Sequence, residues 1–302
     1  MLNVILETCA GTLTQGLIYA ILSYGIFITY KILDFPDLTV DGSFPLGAAV
    51  TAVLLTHGVN AWLTLPIALV IGALAGLCTG LIHVRAKVRD LLAGIITMTA
   101  LYSINLQIAG SNLMVERAID TIYTSAPVMA LLGSVPLLYR KLIVSLVLVV
   151  LIGLVLVWYF STKNGLLLRA VGDNDTLVTT LAVDKGSMKI LGLVIANALV
   201  ALSGCIVCQE GRSFSATMGT GQMVFGLAAV IIGTTLFRRM NFVKGTAAVV
   251  IGSILYKACI QIAILLGLPG NMLKFITAAL FLVILITGTL SGRKGGPDRA
   301  GA

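Results

Sequence analysis

The sequence is poor in charge. Only 11% of its 302 residues are Asp, Glu, Lys or Arg, whereas 58% are hydrophobic. A soluble domain carries roughly 25% charged residues to cover its surface. With less than half of that share, the folded chain would expose apolar surface to water and aggregate, so lipid must be its solvent. This composition excludes a soluble enzyme.

Motifs that carry chemistry are also missing. The chain has no G-x-x-x-x-G-K-[ST] phosphate-binding loop, so any nucleotide must be bound by a partner. Its two histidines, His57 and His83, occur at the ends of apolar segments, without an H-E-x-x-H motif or a serine–histidine–aspartate grouping. Cys205 and Cys208 have C-x-x-C spacing but no second pair, so we interpret them as helix-packing residues. We therefore expect no enzymatic activity, no metal site and no cofactor in this chain.

The apolar runs are long and continuous, whereas the strands of a membrane barrel would alternate apolar and polar residues. A helix needs about 20 apolar residues to cross the hydrocarbon core. The sequence therefore predicts an all-α, polytopic membrane bundle of about 8–10 transmembrane helices, some of them broken or re-entrant, over residues 1–291. Residues 292–302 are predicted to form a disordered cytoplasmic tail. The apolar segments lie at 9–31, 44–57, 61–83, 91–109, 138–160, 188–208, 222–237, 245–266 and 272–290.

Basic residues give the orientation. The net charge of +8 is not gathered on one face, as a nucleic-acid-binding surface would require, but falls between the spans. Lys and Arg are enriched in cytoplasmic loops. Four clusters, at 85–89, 163–189, 238–244 and 293–299, lie on one side when the spans alternate from residue 61 onward. They are predicted to be cytoplasmic, and the 110–137 loop extracytoplasmic, while the side of the N-terminus stays open.

The segment 32–47 interrupts apolar sequence with Asp34, Asp37 and Asp41, two prolines and two glycines. Ionisable groups at membrane depth are costly and usually pair, face water or serve function. One interpretation is therefore a discontinuous helix that lines a translocation path. The other is a surface loop between two spans, with Asp41 or Ser43 as the N-cap of the second.

A second polar segment, 209–221, carries Glu210 and Arg212 and lies on the extracytoplasmic side of the predicted topology. It is interpreted either as a re-entrant segment near the path of the solute or as a solvated loop with a local Glu210–Arg212 pair.

The third polar segment, 163–189, lies on the cytoplasmic side. Gly172, followed by Asp173, Asn174 and Asp175, predicts a turn and an N-cap that opens a short helix at about 175–184. This helix is too short to span a membrane and is interpreted as an interfacial anchor or as a knob that docks into a partner.

Three stretches in order resemble the ABC permeases for branched-chain amino acids and ribose. Residues 165–174 (GLLLRAVGDN) resemble the cytoplasmic coupling segment of that family, residues 37–48 (DLTVDGSFPLGA) its broken second helix, and residues 225–234 (FGLAAVIIGT) its later A-x-V-I-G-G stretch. The likeness covers nearly the whole chain and is greatest to the tryptophan/tyrosine-type branch. Val178-Thr179, Ala182-Val183 and Thr234-Thr235 depart from the family pattern, which leaves the docking geometry open.

The resemblance implies a mechanism and a set of partners. Two permease copies, expected to form a homodimer in a bacterial plasma membrane, would sit on a cytoplasmic ABC ATPase dimer that binds ATP-Mg. An extracytoplasmic substrate-binding lipoprotein would deliver a small solute, with an aromatic amino acid as the first expectation. An ion-coupled secondary transporter is the alternative.

The resemblance and the polar segments together nominate two sets of residues. Predicted substrate-pathway residues are Asp37, Thr39, Asp41, Ser43, Phe44, Glu210 and Arg212. Predicted ATPase-coupling residues are Gly165, Arg169, Gly172, Asp173, Asn174, Asp175, Leu177 and Asp184.

Overall fold

A computed structural model describes residues 2–173, 184–237 and 245–267, and single positions between 272 and 283. These residues are helical apart from loops and one two-stranded sheet. The helices are α1 (Leu2–Ile26) with a π-helical extension (Phe27–Ile32), α2 (Val40–Thr56), α3 (Thr64–Val84), α4 (Asp90–Ala109), α5 (Ala126–Leu132), α6 (Leu137–Ser161), α7 (Lys163–Asp173), α8 (Lys185–Gly211), a 3-10 turn (Ala216–Gly219), α9 (Gln222–Leu236) and α10 (Gly245–Leu265). The strands are β1 (Asn112–Met114) and β2 (Ser213–Ser215).

The predicted membrane bundle is confirmed. Seven helical segments in the described ranges are long and apolar enough to cross a bilayer, and α2 is a shorter apolar helix. The predicted tail at 292–302 and most of the apolar segment 272–290 lie outside the described residues. The seven segments are Leu6–Ile32, Thr64–Val84, Asp90–Ala109, Leu137–Ser161, Lys185–Gly211, Ala216–Leu236 and Gly245–Leu265.

Helix α8 is the centre of the bundle, and small residues bring its neighbours close. A Cβ atom at Gly72 or Gly76 of α3 would overlap backbone carbonyl oxygens of α8, and one at Gly80 would press on Ile190. On α2, a Cβ at Gly47 would overlap the backbone of Ala201. In lipid, where burial of apolar surface gives little gain between helices, such close backbone packing drives association.

Two faces of the bundle can be defined from the connectors. Strands β1 and β2 pair antiparallel, with Leu113 opposite Phe214, so the loop after α4 and the loop after α8 lie together on what we call the outer face. Gly186, at the start of α8, lies against Val84, at the end of α3, on the opposite inner face. The sequence predicted that 110–137 and 209–221 share a side, and this is confirmed.

The chain between α1 and α2 is a break inside the bundle. The π-helical extension ends at Ile32 beside Gly172 of α7, near the inner face. Residues 33–39 are then irregular, and α2 begins at Val40. Ser43 contacts Asn197, near the middle of α8, so α2 starts close to mid-depth. The discontinuous helix is confirmed and the surface-loop interpretation is wrong. Neither Asp41 nor Ser43 is the N-cap of α2, because Thr39 occupies that position and the other two lie inside the helix.

We expect Gly47→Ala to destabilise the bundle by about 1–3 kcal/mol, as overpacking of a tight interior does. The new methyl group would overlap the Ala201 carbonyl and force α2 away from α8. Gly11→Ala is the matched control, because a Cβ there meets nothing within 4 Å. Thermal unfolding of the purified variants in detergent measures the difference, and equal midpoints for the two variants would contradict the packing described here.

Candidate functional site

A buried polar network joins the helix break to α8. The Asn197 side-chain amide donates to Asp37 Oδ2 at 2.7 Å, and its oxygen accepts from Ser43 Oγ at 2.7 Å. Asp37 Oδ1 also accepts from the backbone N–H of Thr39 at 2.9 Å. Asp37 is 1% exposed, Ser43 and Asn197 0%. Since an unsatisfied buried carboxylate is costly, these hydrogen bonds are what makes the break tolerable at this depth.

Two more of the predicted pathway residues lie in the same region. The Thr39 hydroxyl shares a 2.8 Å hydrogen bond with that of Thr79 on α3. Phe44 is fully buried and packs against Tyr19 of α1, with ring centroids 5.8 Å apart. The structure therefore brings Asp37, Thr39, Ser43 and Phe44 together, on the first turns of α2 and the break before it.

Asp41 links the break to a second discontinuity. Its carboxylate accepts from the backbone N–H groups of Gly221 at 2.9 Å and Met223 at 2.8 Å, which are the N-cap and an early residue of α9. A carboxylate at a helix N-terminus satisfies open N–H groups and opposes the positive end of the helix dipole. Because Asp41 lies near mid-depth, α9 begins there too, and residues 216–221 dip into the bundle from the outer face. We call residues 216–221 the re-entrant segment; that it lies near the path of the solute stays a prediction.

We call the contact of Asp41 with the start of α9 the junction. A cavity of about 240 Å³ adjoins it and is lined in part by Asp41, Asn105 and Thr220. The amide nitrogen of Asn105 donates to the Gly42 carbonyl at 3.1 Å, whereas its buried side-chain oxygen has no hydrogen-bond partner among the described residues. The junction thus combines two helix starts, a carboxylate and an open amide oxygen. Transporters place solute sites at such broken helices near the bilayer midplane.

Glu210 and Arg212 lie elsewhere. Along α8, Glu210 is about 20 Å from Asn197 at the ~1.5 Å rise per helical residue. Its carboxylate forms a 2.8 Å ion pair with Lys141 of α6, and Arg212 donates to the carbonyl oxygens of Glu116 and Ile119. The predicted local Glu210–Arg212 pair is therefore wrong. Both residues line an outer-face cavity of about 800 Å³, separate from the Asp37 network.

The coupling residues are placed in part. Gly172 and Asp173 belong to helix α7 and not to the predicted turn. The rest of that turn and the predicted short helix, with Asn174, Asp175 and Leu177, lie outside the described residues. Arg169 lies 5.0 Å from the ring centroid of Phe160. The α7 backbone approaches other chain segments at two glycines, since a Cβ at Gly165 would overlap the Tyr159 carbonyl and one at Gly172 the Ile32 carbonyl.

Asp184 is the N-cap of α8. It accepts hydrogen bonds from the Ser187 hydroxyl at 2.7 Å and from the backbone N–H groups of Gly186 and Ser187. These bonds, the Ser187 hydroxyl first, lower the pKa of the exposed Asp184 carboxyl. The residue nominated for docking thus has a structural role at the start of the central helix.

Several residues of the site were not predicted from the sequence. Asn197 and Thr79 are single polar residues within apolar runs, and their partners become visible only in three dimensions. Lys257 is different, because a lysine in the middle of the apolar run 245–266 is itself a signal of function. It lies over the Tyr19 ring, 3.5 Å from the centroid.

We expect Asn197→Ala to destabilise the fold by about 1–3 kcal/mol, the typical result of leaving a buried polar partner unsatisfied. The change removes the amide that binds Asp37 and Ser43. Asn112→Ala on the exposed strand β1 is the control, because its side chain lies on the surface. Unfolding in detergent measures both, and the Asn197 variant should regain stability when Asp37→Ala is added. A double variant no more stable than Asn197→Ala would contradict the network.

Comparison with known proteins places these features in a family. The model of the family described as "Branched-chain amino acid transport system / permease component" matches residues 8–285. The chain is 38% identical to the tyrosine transport system permease protein of Clostridioides difficile, over 93% of this chain and 91% of that protein. It is 26% identical to the ribose import permease protein of Haemophilus influenzae, over 78% and 68%. No solved structure matches.

The match covers the break, the re-entrant segment and α7 alike. It agrees with seven apolar helices in the described ranges and with a multi-pass location in a membrane. A component of this kind moves solute and is not itself an enzyme. The chain belongs to the family of permease components of ABC-type branched-chain amino acid transport systems.

Proposed function

We propose that this chain is the permease subunit of an importer for a small solute, with an aromatic amino acid as the expected solute. ABC permeases of this family work in general with ATPases and binding proteins. Two copies of the chain would form the pathway, a cytoplasmic ATPase dimer would bind ATP-Mg, and an extracytoplasmic lipoprotein would deliver the solute. The Clostridioides difficile relative is named for tyrosine transport, which supports an aromatic amino acid as the solute. The Haemophilus influenzae relative is named for ribose import, so similar permeases serve chemically different solutes.

The observation that carries the proposal is the contact between α7 and the helix break. The backbone of Gly172 lies against the Ile32 carbonyl, directly before the irregular residues 33–39. Leu168 of α7 is fully buried and, with Leu33, packs around Gly192 of α8. A displacement of α7 would therefore reach the break, and through Asp37 and Asn197 the middle of α8.

This arrangement suits a motor on the inner face. Interfaces packed backbone against backbone transmit a displacement, because they have little room to deform. The break would yield first, since residues 33–39 have no helical hydrogen-bond ladder of their own. In this proposal ATP binding moves α7, α7 moves the end of α1, and the junction at Asp41 changes its access from the outer to the inner face.

Ion coupling is the second candidate, and Asp37 is the observation that favours it. A carboxylate that is 1% exposed and bound by neutral donors is the type of group that proton-coupled transporters use. In the ABC proposal the same carboxylate holds the break in place. The two functions make opposite predictions for the energy source.

We expect uptake to depend on ATP and not on an ion gradient. The permease, its ATPase and its binding protein are reconstituted in proteoliposomes, and uptake of labelled L-tyrosine is followed with ATP-Mg available to the ATPase. Protonophores and sodium ionophores should leave uptake unchanged, whereas a non-hydrolysable ATP analogue should abolish it. Uptake driven by a pH or sodium gradient, with the permease alone, would establish the ion-coupled alternative instead.

We expect Gly172→Ala to uncouple the ATPase from transport. The added methyl group would overlap the Ile32 carbonyl and separate α7 from the break, so ATP hydrolysis should continue while uptake per ATP falls about tenfold or more. Gly11→Ala, with open space around it, is the control and should match the parent protein. Full uptake per ATP by Gly172→Ala would refute the proposal that α7 transmits the motion of the ATPase to the helix break.

A further inference from the structure

Lys257 is a cation inside the bundle. It belongs to α10, lies about 12 Å along the helix from Leu265 at the outer end, and is partly buried. Its ammonium lies 3.5 Å from the ring centroid of Tyr19 and 5.1 Å from that of Phe225. Contacts with aromatic faces stabilise a cation by less free energy than its desolvation costs.

No carboxylate lies within ion-pair distance of Lys257 among the residues that the structure describes. The Glu210 carboxylate, at the outer end of α8, is already paired with Lys141 at 2.8 Å. Asp41, the other acidic residue of this region, is occupied by the N–H groups of Gly221 and Met223. The Lys257 charge is therefore left without an anionic partner within the described protein.

The space beside Lys257 has the size of a ligand site. A cavity of about 530 Å³ lies between α1, the re-entrant segment and α10, within the range of roughly 300–1,000 Å³ typical of small-molecule sites. Lys257, Tyr19 and Phe225 line it, together with Thr217, Thr220 and Gln222. The last three belong to the segment that dips in from the outer face and to the first residue of α9, so the cavity borders the junction that Asp41 holds.

The lining matches a solute with a carboxylate and an apolar body. An ammonium offers three donors to a carboxylate, and the resulting charge-assisted bonds are roughly twice as strong as neutral ones. The rings form a continuous edge-to-face cluster, with Tyr19–Phe225 and Phe225–Tyr256 centroids 5.0 Å apart, against which a planar side chain packs well. The Thr217 hydroxyl shares a 3.1 Å hydrogen bond with Ser215 Oγ, and the Gln222 amide nitrogen donates to the Met218 carbonyl at 2.8 Å. A hydroxyl and an amide can each form more than one hydrogen bond, so both keep capacity for polar atoms of the solute.

We propose that Lys257 binds the carboxylate of the transported solute in this cavity, while Tyr19 and Phe225 contact its side chain. The inference rests on the proposed function and names the chemistry by which the permease itself selects: a free carboxylate next to an aromatic or large apolar group. An anionic lipid headgroup offers related chemistry, and the experiment separates the two sources.

The test measures binding of L-tyrosine and tyramine, its analogue without a carboxylate, to the purified permease–ATPase complex in the absence of the binding protein. The parent complex should prefer tyrosine at least tenfold. Lys257→Met should abolish that preference, Lys257→Arg should retain most of it, and Lys31→Met, which removes an exposed lysine near the inner face, should leave it intact. L-Leucine and isoamylamine form a second acid–amine pair for an aliphatic solute.

A control of assembly and a control of lipid composition make each outcome decisive. Assembly of the Lys257→Met permease with the ATPase must equal that of the parent, and where it does not, Lys257→Gln takes its place as the variant without the charge. An unchanged preference in Lys257→Met, or no preference for either acid in the parent, overturns the inference. An effect seen only in nanodiscs with anionic phosphatidylglycerol, and absent in phosphatidylcholine, assigns Lys257 to lipid and also overturns it. ATP-driven uptake by the parent complex would still leave the proposed function standing in every case.

Discussion

The hydrogen bonds that Asn197 forms with Asp37 and Ser43 are the interaction on which the centre of this bundle depends. Backbone and carboxylate groups cannot remain unpaired in a lipid-surrounded interior, so a helix can break there only where other groups take over its polar atoms. Asn197 supplies both a donor and an acceptor from the middle of α8. The break, in turn, lets α2 begin at mid-depth, close enough for Asp41 to reach α9.

The same constraint explains the second discontinuity. The re-entrant segment brings the open N–H groups of α9 into the bundle, and Asp41 accepts from Gly221 and Met223. The carboxylate at the start of α2 thus accepts hydrogen bonds from the open N–H groups at the start of α9. Cavities, and not a packed core, surround this junction. The small residues of α2, α3 and α8 make this arrangement compact, because they allow backbones to approach directly.

The links from the inner face to the junction are short. Gly172 contacts Ile32, the irregular residues 33–39 follow, and Asp37 binds Asn197. On the outer side, Lys257 and the aromatic cluster border the re-entrant segment. A motor acting on α7 and a solute bound beside Lys257 would therefore act on the two sides of one junction. Alternating access requires this arrangement, because ATP binding and solute binding must both shift the junction between the same two conformations.

The sequence by itself determined the solvent, the helical class and the approximate spans, because continuous apolar runs and scarce charge leave a membrane bundle as the stable solution. Polar residues in an apolar chain also marked the break at 32–47 and the segment 209–221. Which polar groups meet was decided by the tertiary structure alone. Asp41 reaches a helix 180 residues further along the chain, and Glu210 pairs with Lys141 rather than its neighbour Arg212. The packing of the helices determines these partners, and the spacing of residues along the sequence does not reveal which helices pack together.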